Sequence, residues 1–140
     1  MRICRGVTRT VILTRHWAIK VPSLRAYNNG PRGVLWSVTR GIQANLSEAE
    51  WSGTPGTCPV RWTLAGLVNI YPRCTPVDHD PTVEEYEATG FLGPTDQKPG
   101  NVGYLNGLLV WIDYDQSWND CLACRRRGFN ERGRASKGAA

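Results

Sequence analysis

Long apolar runs are the first thing this chain lacks. Nowhere among its 140 residues do about eighteen apolar positions follow one another, which argues against a membrane-spanning helix. The N-terminal segment is interrupted by Arg2, Arg5, Arg9 and Arg15, so it does not read as a signal peptide. The expected location is therefore the cytoplasm, with no membrane partner. Histidine is scarce, with only His16 and His79. Cys121-x2-Cys124 has metal-ligand spacing, but no second such pair and no adjacent histidine completes it, so it is half a zinc site at most. The cysteines number five (Cys4, Cys58, Cys74, Cys121, Cys124), and reduced thiols are the simplest account of an odd count. There is no internal repeat.

What is present reads as one globular domain. Hydrophobic residues make up 41% and charged residues 21% of the chain, ordinary values for a folded protein. The net charge of +5 is concentrated at the C-terminal end. Arg125, Arg126, Arg127, Arg132, Arg134 and Lys137 face a single acid, Glu131, and the rest of the chain is balanced. This divides the chain into a domain at 1–122 and a basic tail at 123–140. The tail has too little apolar content to bury and reads as solvated and disordered, with weak contact to nucleic acid as its functional reading.

Along the domain the periodicity alternates between strand and helix. Thr8–Leu13 and Trp17–Val21 are rich in β-branched residues and read as paired strands, with Lys20 on the face opposite Ile19 and Val21. Asn28-Asn29-Gly30-Pro31 marks a loop. A helix is expected over 33–51, where Leu35, Val38, Ile42 and Leu46 recur at three- and four-residue spacing as an apolar stripe. Val60–Leu64 and Leu67–Tyr71 suggest a hairpin around Ala65-Gly66, and Asp78–Ala88 a short acidic helix. Asn106-Gly107 is a strong two-residue hairpin signal between two further strands.

The stretch with most chemical content is Asp96-Gln97-Lys98-Pro99-Gly100-Asn101, with Asp113 ending the apolar run Leu108–Ile112. A carboxylate and an amide five positions apart can share one loop, and a second carboxylate on the following strand can face them. Such oxygen ligands suit Mg²⁺. Asp113 is the most telling of the three, because a carboxylate at the end of a buried strand needs a partner.

These motifs resemble the protein kinase-like superfamily, closest to the aminoglycoside and other small-molecule phosphotransferases. Asp96-x4-Asn101 is similar to their catalytic loop, Asn101 to Asp113 to their hairpin and metal aspartate, and Trp17-Ala18-Ile19-Lys20-Val21 to the strand whose lysine holds phosphates. The chain also resembles short proteins of phage and bacterial genomes with the same strand–helix–hairpin layout. The resemblance implies an α+β fold: a kinase-like antiparallel sheet with one packed helix plus a metal-loop hairpin, lacking a full helical C-terminal lobe. It implies Mg²⁺ and ATP as cofactors. Asp96 would orient the acceptor hydroxyl and Lys98 would contact the transferred phosphoryl group. Lys20 would neutralise phosphate charge, braced by Glu48 from the helix, and Asn101 and Asp113 would hold the metal. Asp115, two positions on, would be a further ligand or a turn residue. Tyr71–Pro76 would form the linker beside the nucleotide base.

The pattern departs from that family in three places. The N-terminal strands carry no glycine-rich loop, the stretch between Pro76 and Asp96 is short, and only 27 residues follow Asp113. The acceptor platform is thus missing, to be supplied by a small acceptor, a second copy or a partner. Two other readings stand beside the phosphotransferase. One is a pseudokinase-like interaction module that does not turn over. The other is a small nucleic-acid-binding protein using the tail and some of Trp17, Trp36, Trp51, Trp62, Trp111 and Trp118, although most of these fall in expected strands or helix, where core packing is the commoner use.

Overall fold

A computed structural model describes residues 1–25, 30–91 and 97–114. The fold is α+β, with a five-stranded antiparallel sheet, a smaller three-stranded sheet and one long helix. In chain order the elements are β1 (Arg2–Arg5), β2 (Arg9–Leu13), β3 (Trp17–Pro22), α1 (Pro31–Trp51), β4 (Trp62–Leu64), β5 (Val68–Pro72), β6 (Thr75–Pro76), α2 (Val83–Ala88), a 3₁₀ turn (Pro99–Asn101), β7 (Val102–Leu105) and β8 (Leu108–Trp111). The large sheet runs β1-β2-β3-β5-β4 and the small one β6-β7-β8. Among the described residues no helix is long and apolar enough to cross a membrane.

The strands expected from β-branched content form where their alternation places them. β3 is central, with Val11 opposite Lys20 and Ile12 opposite Ile19 on one side and Ile19 opposite Ile70 on the other. β1 was not anticipated, since arginines flank it, yet Arg2 to Arg5 pair with Leu13 to Thr10 at the sheet edge, where charged side chains reach solvent. Asn106 and Gly107 make the tight turn between β7 and β8, both at positive φ (53° and 81°), the conformation that a two-residue primed turn requires. The segment read as a linker is shorter than expected, because Thr75 and Pro76 pair with Tyr104 and Gly103 as β6.

The helix forms as expected, starting at Pro31 in its first turn. Its buried face is not the expected apolar stripe. Leu35 and Leu46 are exposed and Val38 and Ile42 half-buried, whereas Ser37, Gly41, Ala44, Asn45, Ser47 and Glu48 are buried. Close approach explains the choice. A Cβ built on Gly41 would lie 2.3 Å from the Thr8 carbonyl oxygen and 2.8 Å from the Pro22 Cα. At that separation only small residues fit beneath the helix, and longer ones fit where they make hydrogen bonds with the sheet.

The apolar core therefore sits beside the helix–sheet interface. Cys58, Tyr71, Tyr86, Phe91, Val102, Val110, Trp111 and Tyr114 form one buried cluster where the small sheet, α2 and the end of β5 meet. Trp111 stacks on Tyr86 with centroids 5.2 Å apart, and Phe91 meets Trp51 edge-on at 5.4 Å. The loop after α1 is tied to β8, with Trp111 N donating to the Gly56 carbonyl at 2.7 Å and Cys58 N to the Trp111 carbonyl at 2.8 Å. This joins the end of α1 to the strand that leads to Asp113. α2 starts with a reciprocal cap, in which Thr82 N donates to the Glu85 carboxylate at 2.8 Å and Glu85 N to Thr82 Oγ1 at 3.3 Å.

Candidate functional site

Three elements meet on the inner face of the large sheet. β3 presents Lys20, α1 presents Glu48, and the chain leaving β8 presents Ile112, Asp113 and Tyr114. Lys20 Nζ donates to both Glu48 oxygens, at 2.7 and 2.9 Å, and to the Ile112 carbonyl at 2.5 Å. All three ammonium protons thus have acceptors, and the cation also lies 4.8 Å from the Tyr71 ring centre. The expected pairing of Lys20 with Glu48 is made.

Glu48 is fully buried and is the hub of this cluster. Besides Lys20 it pairs with Arg9 Nη1 at 2.9 Å, and it accepts the Tyr71 hydroxyl proton and the Tyr114 amide at 3.3 Å. Burial by itself would push the Glu48 carboxyl up. The charges of Lys20 and Arg9, with the hydrogen bonds of Lys20 and Tyr71, outweigh it and hold the group at about 2. Tyr71 is driven the other way, above the normal phenol range, first by its burial and then by the adjacent Glu48 charge.

Asp113 does have the partner its position calls for, and that partner is Arg9, whose second guanidinium nitrogen binds Asp113 Oδ1. Arg9 is buried while the Asp113 side chain is 41% exposed, so the ion pair lies at the mouth of the cluster. Arg9, Lys20, Glu48 and Asp113 sum to zero charge, which is how four ionic groups tolerate this depth. Sequence reasoning missed Arg9. Its one signal was an arginine at an inward-facing position of a strand, opposite Pro22.

Asn101 lies next to Asp113. Its carbonyl accepts the amides of Ile112 at 2.8 Å and Asp113 at 3.3 Å. Lys98 is exposed, and its carbonyl accepts the Asn101 amide at 2.9 Å, closing the 3₁₀ turn. Asp96, Asp115, Trp118, the Cys121–Cys124 pair and the basic tail fall outside the described residues. Among the described residues no cluster of three or more His, Cys, Asp or Glu side chains stands ready for a metal. Asp113 and Asn101 supply one carboxylate and one amide, a set that suits a Mg²⁺ taking its other ligands from phosphates and water.

Polar contacts extend the cluster under α1. Asn45 Nδ2 donates to the carbonyls of Gly66 at 2.8 Å and Lys20 at 3.3 Å, and Asn69 Nδ2 donates to the Asn45 carbonyl at 2.7 Å. Nearby, the thiols of Cys58 and Cys74 lie 3.5 Å apart. Their hydrogen bond pushes Cys58 up, with burial adding to it, and holds Cys74 down. Both are free thiols.

The tryptophans divide between the core and the surface. Among the described residues Trp111 is fully buried and Trp51 packs half-buried against the core cluster, while Trp17, Trp36 and Trp62 are 44%, 43% and 50% exposed. Trp17 and Trp62 stand on the outer face of the large sheet, where no helix of the described residues covers them.

No protein-family model, curated protein or solved structure matches the chain.

Proposed function

We propose that this chain is a minimal kinase-like module that binds a Mg²⁺-nucleotide beside Lys20 and Asp113. The observation that carries the reading is the Lys20–Glu48 pair, made between β3 and α1 and held against the strand end bearing Asp113. A lysine fixed by a glutamate, next to a half-exposed carboxylate, is an arrangement that can meet phosphate oxygens and their metal. Asn101 and Asp113 would hold Mg²⁺, Lys20 would face the phosphates, and Lys98 at the exposed turn would approach the terminal phosphate. Mg²⁺ would supply charge neutralisation between phosphate oxygens.

One observation favours binding without turnover as the second reading. The Lys20 donors are already engaged, and Arg9 sits on Asp113. Phosphate and metal must then displace contacts that the protein makes with itself. A pseudokinase-like interaction module needs no such displacement.

Calorimetric titration with Mg²⁺-ATP, on the wild type and on Asp113→Asn, separates the two. Saturable binding that requires Mg²⁺ and collapses in the variant supports the nucleotide site. A folded wild type that gives no heat leaves the interaction module. Where binding is found, turnover of [γ-³²P]ATP decides whether the module is also a phosphotransferase.

A further inference from the structure

We propose that the outer face of the large sheet is a self-association surface, and that its occupant is a second copy of this chain packed sheet against sheet. The strand register defines this face. Ile3 lies opposite Ile12, Ile12 opposite Ile19, Ile19 opposite Ile70, and Ile70 opposite Trp62. Directly opposed residues in antiparallel strands share a face. An unbroken apolar row therefore crosses all five strands, with Ile19 of the central strand at its midpoint.

The neighbouring positions on this face extend the row. Trp17 lies opposite Pro72 on one side, and Leu64 opposite Val68 on the other. Ile3, Trp17, Trp62 and Leu64 are 47%, 44%, 50% and 49% exposed, so the surface is open. The inner face is occupied by α1, which is why Lys20, Asn69 and Arg9 point away from this row. The strand residue that brings charge to the outer face is Arg5, at the corner of β1.

Three features select a second copy as the occupant. First, the row carries no charge, so an acidic or basic partner gains nothing from it, whereas an equally uncharged face does. Second, the row is symmetric about Ile19. A two-fold axis along β3 sets Ile19 over its counterpart, Ile12 over the other copy's Ile70, and Ile3 over the other copy's Trp62, which makes the contact closed and isologous. Third, the area suffices. Five strands about 4.8 Å apart and about 15 Å long present roughly 360 Å² of projected face. With the relief of two half-exposed tryptophans, two such faces bury on the order of 1,000 Å² in total, the lower range of specific interfaces. Sheets stacked this way pack about 10 Å apart. The inference does not depend on nucleotide binding, because the row lies on the opposite side of the sheet from Lys20 and Asp113.

The test is sedimentation equilibrium of the full chain across low- to high-micromolar concentrations, for the wild type, Trp62→Glu and Ile3→Glu. Both substituted positions are about half exposed, so the fold should survive, and far-ultraviolet circular dichroism checks that it has. The expected result is a wild-type dimer whose association weakens about 100-fold or more in each variant, since each buries an unpaired carboxylate. Tryptophan emission should also shift to longer wavelength as the wild type is diluted to monomer. Two results overturn the proposal. One is a wild type that stays monomeric throughout, whether a segment of the same chain or another partner covers the face. The other is a dimer that both folded variants leave intact.

Discussion

Lys20 and Glu48 are separated by 28 positions in the chain and meet through two hydrogen bonds of 2.7 and 2.9 Å, in a part of the structure where Glu48 is inaccessible to solvent. The pair ties α1 to the central strand. A carboxylate at that depth requires compensation, and Lys20 and Arg9 supply it from two adjacent strands. The helix is therefore held by an ionic contact at one end and by the close approach at Gly41 further along.

Glu48→Gln should be among the most destabilising single changes in the molecule. It keeps the shape but leaves the Lys20 and Arg9 cations facing a neutral amide, and breaking a buried pair by removing one charge costs about 3–5 kcal/mol. Urea denaturation should show a lower midpoint with an unchanged slope. A loss below about 1 kcal/mol would mean that water or Asp113 compensates the cations.

The same carboxylate sets the acid limit of the fold. Its folded value of about 2 lies below the ordinary 4.5, so the unfolded chain takes up the proton first as the pH drops. The stabilisation is complete above 4.5 and is lost as the pH falls towards 2, amounting to something on the order of 3 kcal/mol. Thermal melts at pH 6, 4 and 2.5 should show a steepening loss for the wild type. The Glu48→Gln variant should lose less over the same range.

Gly41→Ala tests the close packing of α1. Alanine favours a helix over glycine by about 1 kcal/mol. Here the added Cβ would fall 2.3 Å from the Thr8 carbonyl and 2.8 Å from the Pro22 Cα, both backbone atoms that cannot rotate away. Overpacking should outweigh propensity and give a net loss of about 1–3 kcal/mol. Equal or greater stability in the variant would show that the helix can lift from the sheet without cost.

Legibility from sequence followed the chemistry of each element. The strands were readable from β-branched alternation, and the β7–β8 turn from Asn106-Gly107, because both signals are local. α1 was readable as a helix but not by its buried face. Spacing analysis looks for apolar stripes, and this helix buries Ser37, Gly41, Asn45 and Glu48 instead, since the sheet beneath offers Lys20, Arg9 and Asn69 rather than a greasy surface. β1 was hidden by Arg2 and Arg5, which suit an edge strand but do not announce one. Within the candidate site, Lys20, Glu48 and Asp113 are legible in the sequence and are drawn into one cluster. Arg9 is not, because its partners Glu48 and Asp113 come from 39 and 104 positions away and no local pattern reports such contacts. The exposure of Trp17 and Trp62 is not legible for a related reason. A tryptophan in a strand has even odds of either face, and only the register assigns Trp17 and Trp62 to the outer one.

Arg9 gives the sharpest test of the nucleotide reading. Its guanidinium holds one carboxylate oxygen of Asp113, the group that would bind a metal, so the two cations would compete for its charge. Arg9→Gln keeps a hydrogen-bonding group near Glu48 but removes the positive charge from Asp113. If Arg9 only blocks the carboxylate, Mg²⁺-dependent nucleotide affinity should rise about tenfold, equivalent to about 1.4 kcal/mol, while the stability of the folded chain falls. If Arg9 instead moves from Asp113 to the phosphates once the metal binds, the same substitution should weaken affinity by a similar factor. Titrating Mg²⁺ at fixed nucleotide, with folding verified for both proteins, separates the two outcomes. An unchanged affinity would place the metal away from Asp113 and remove that residue from the site.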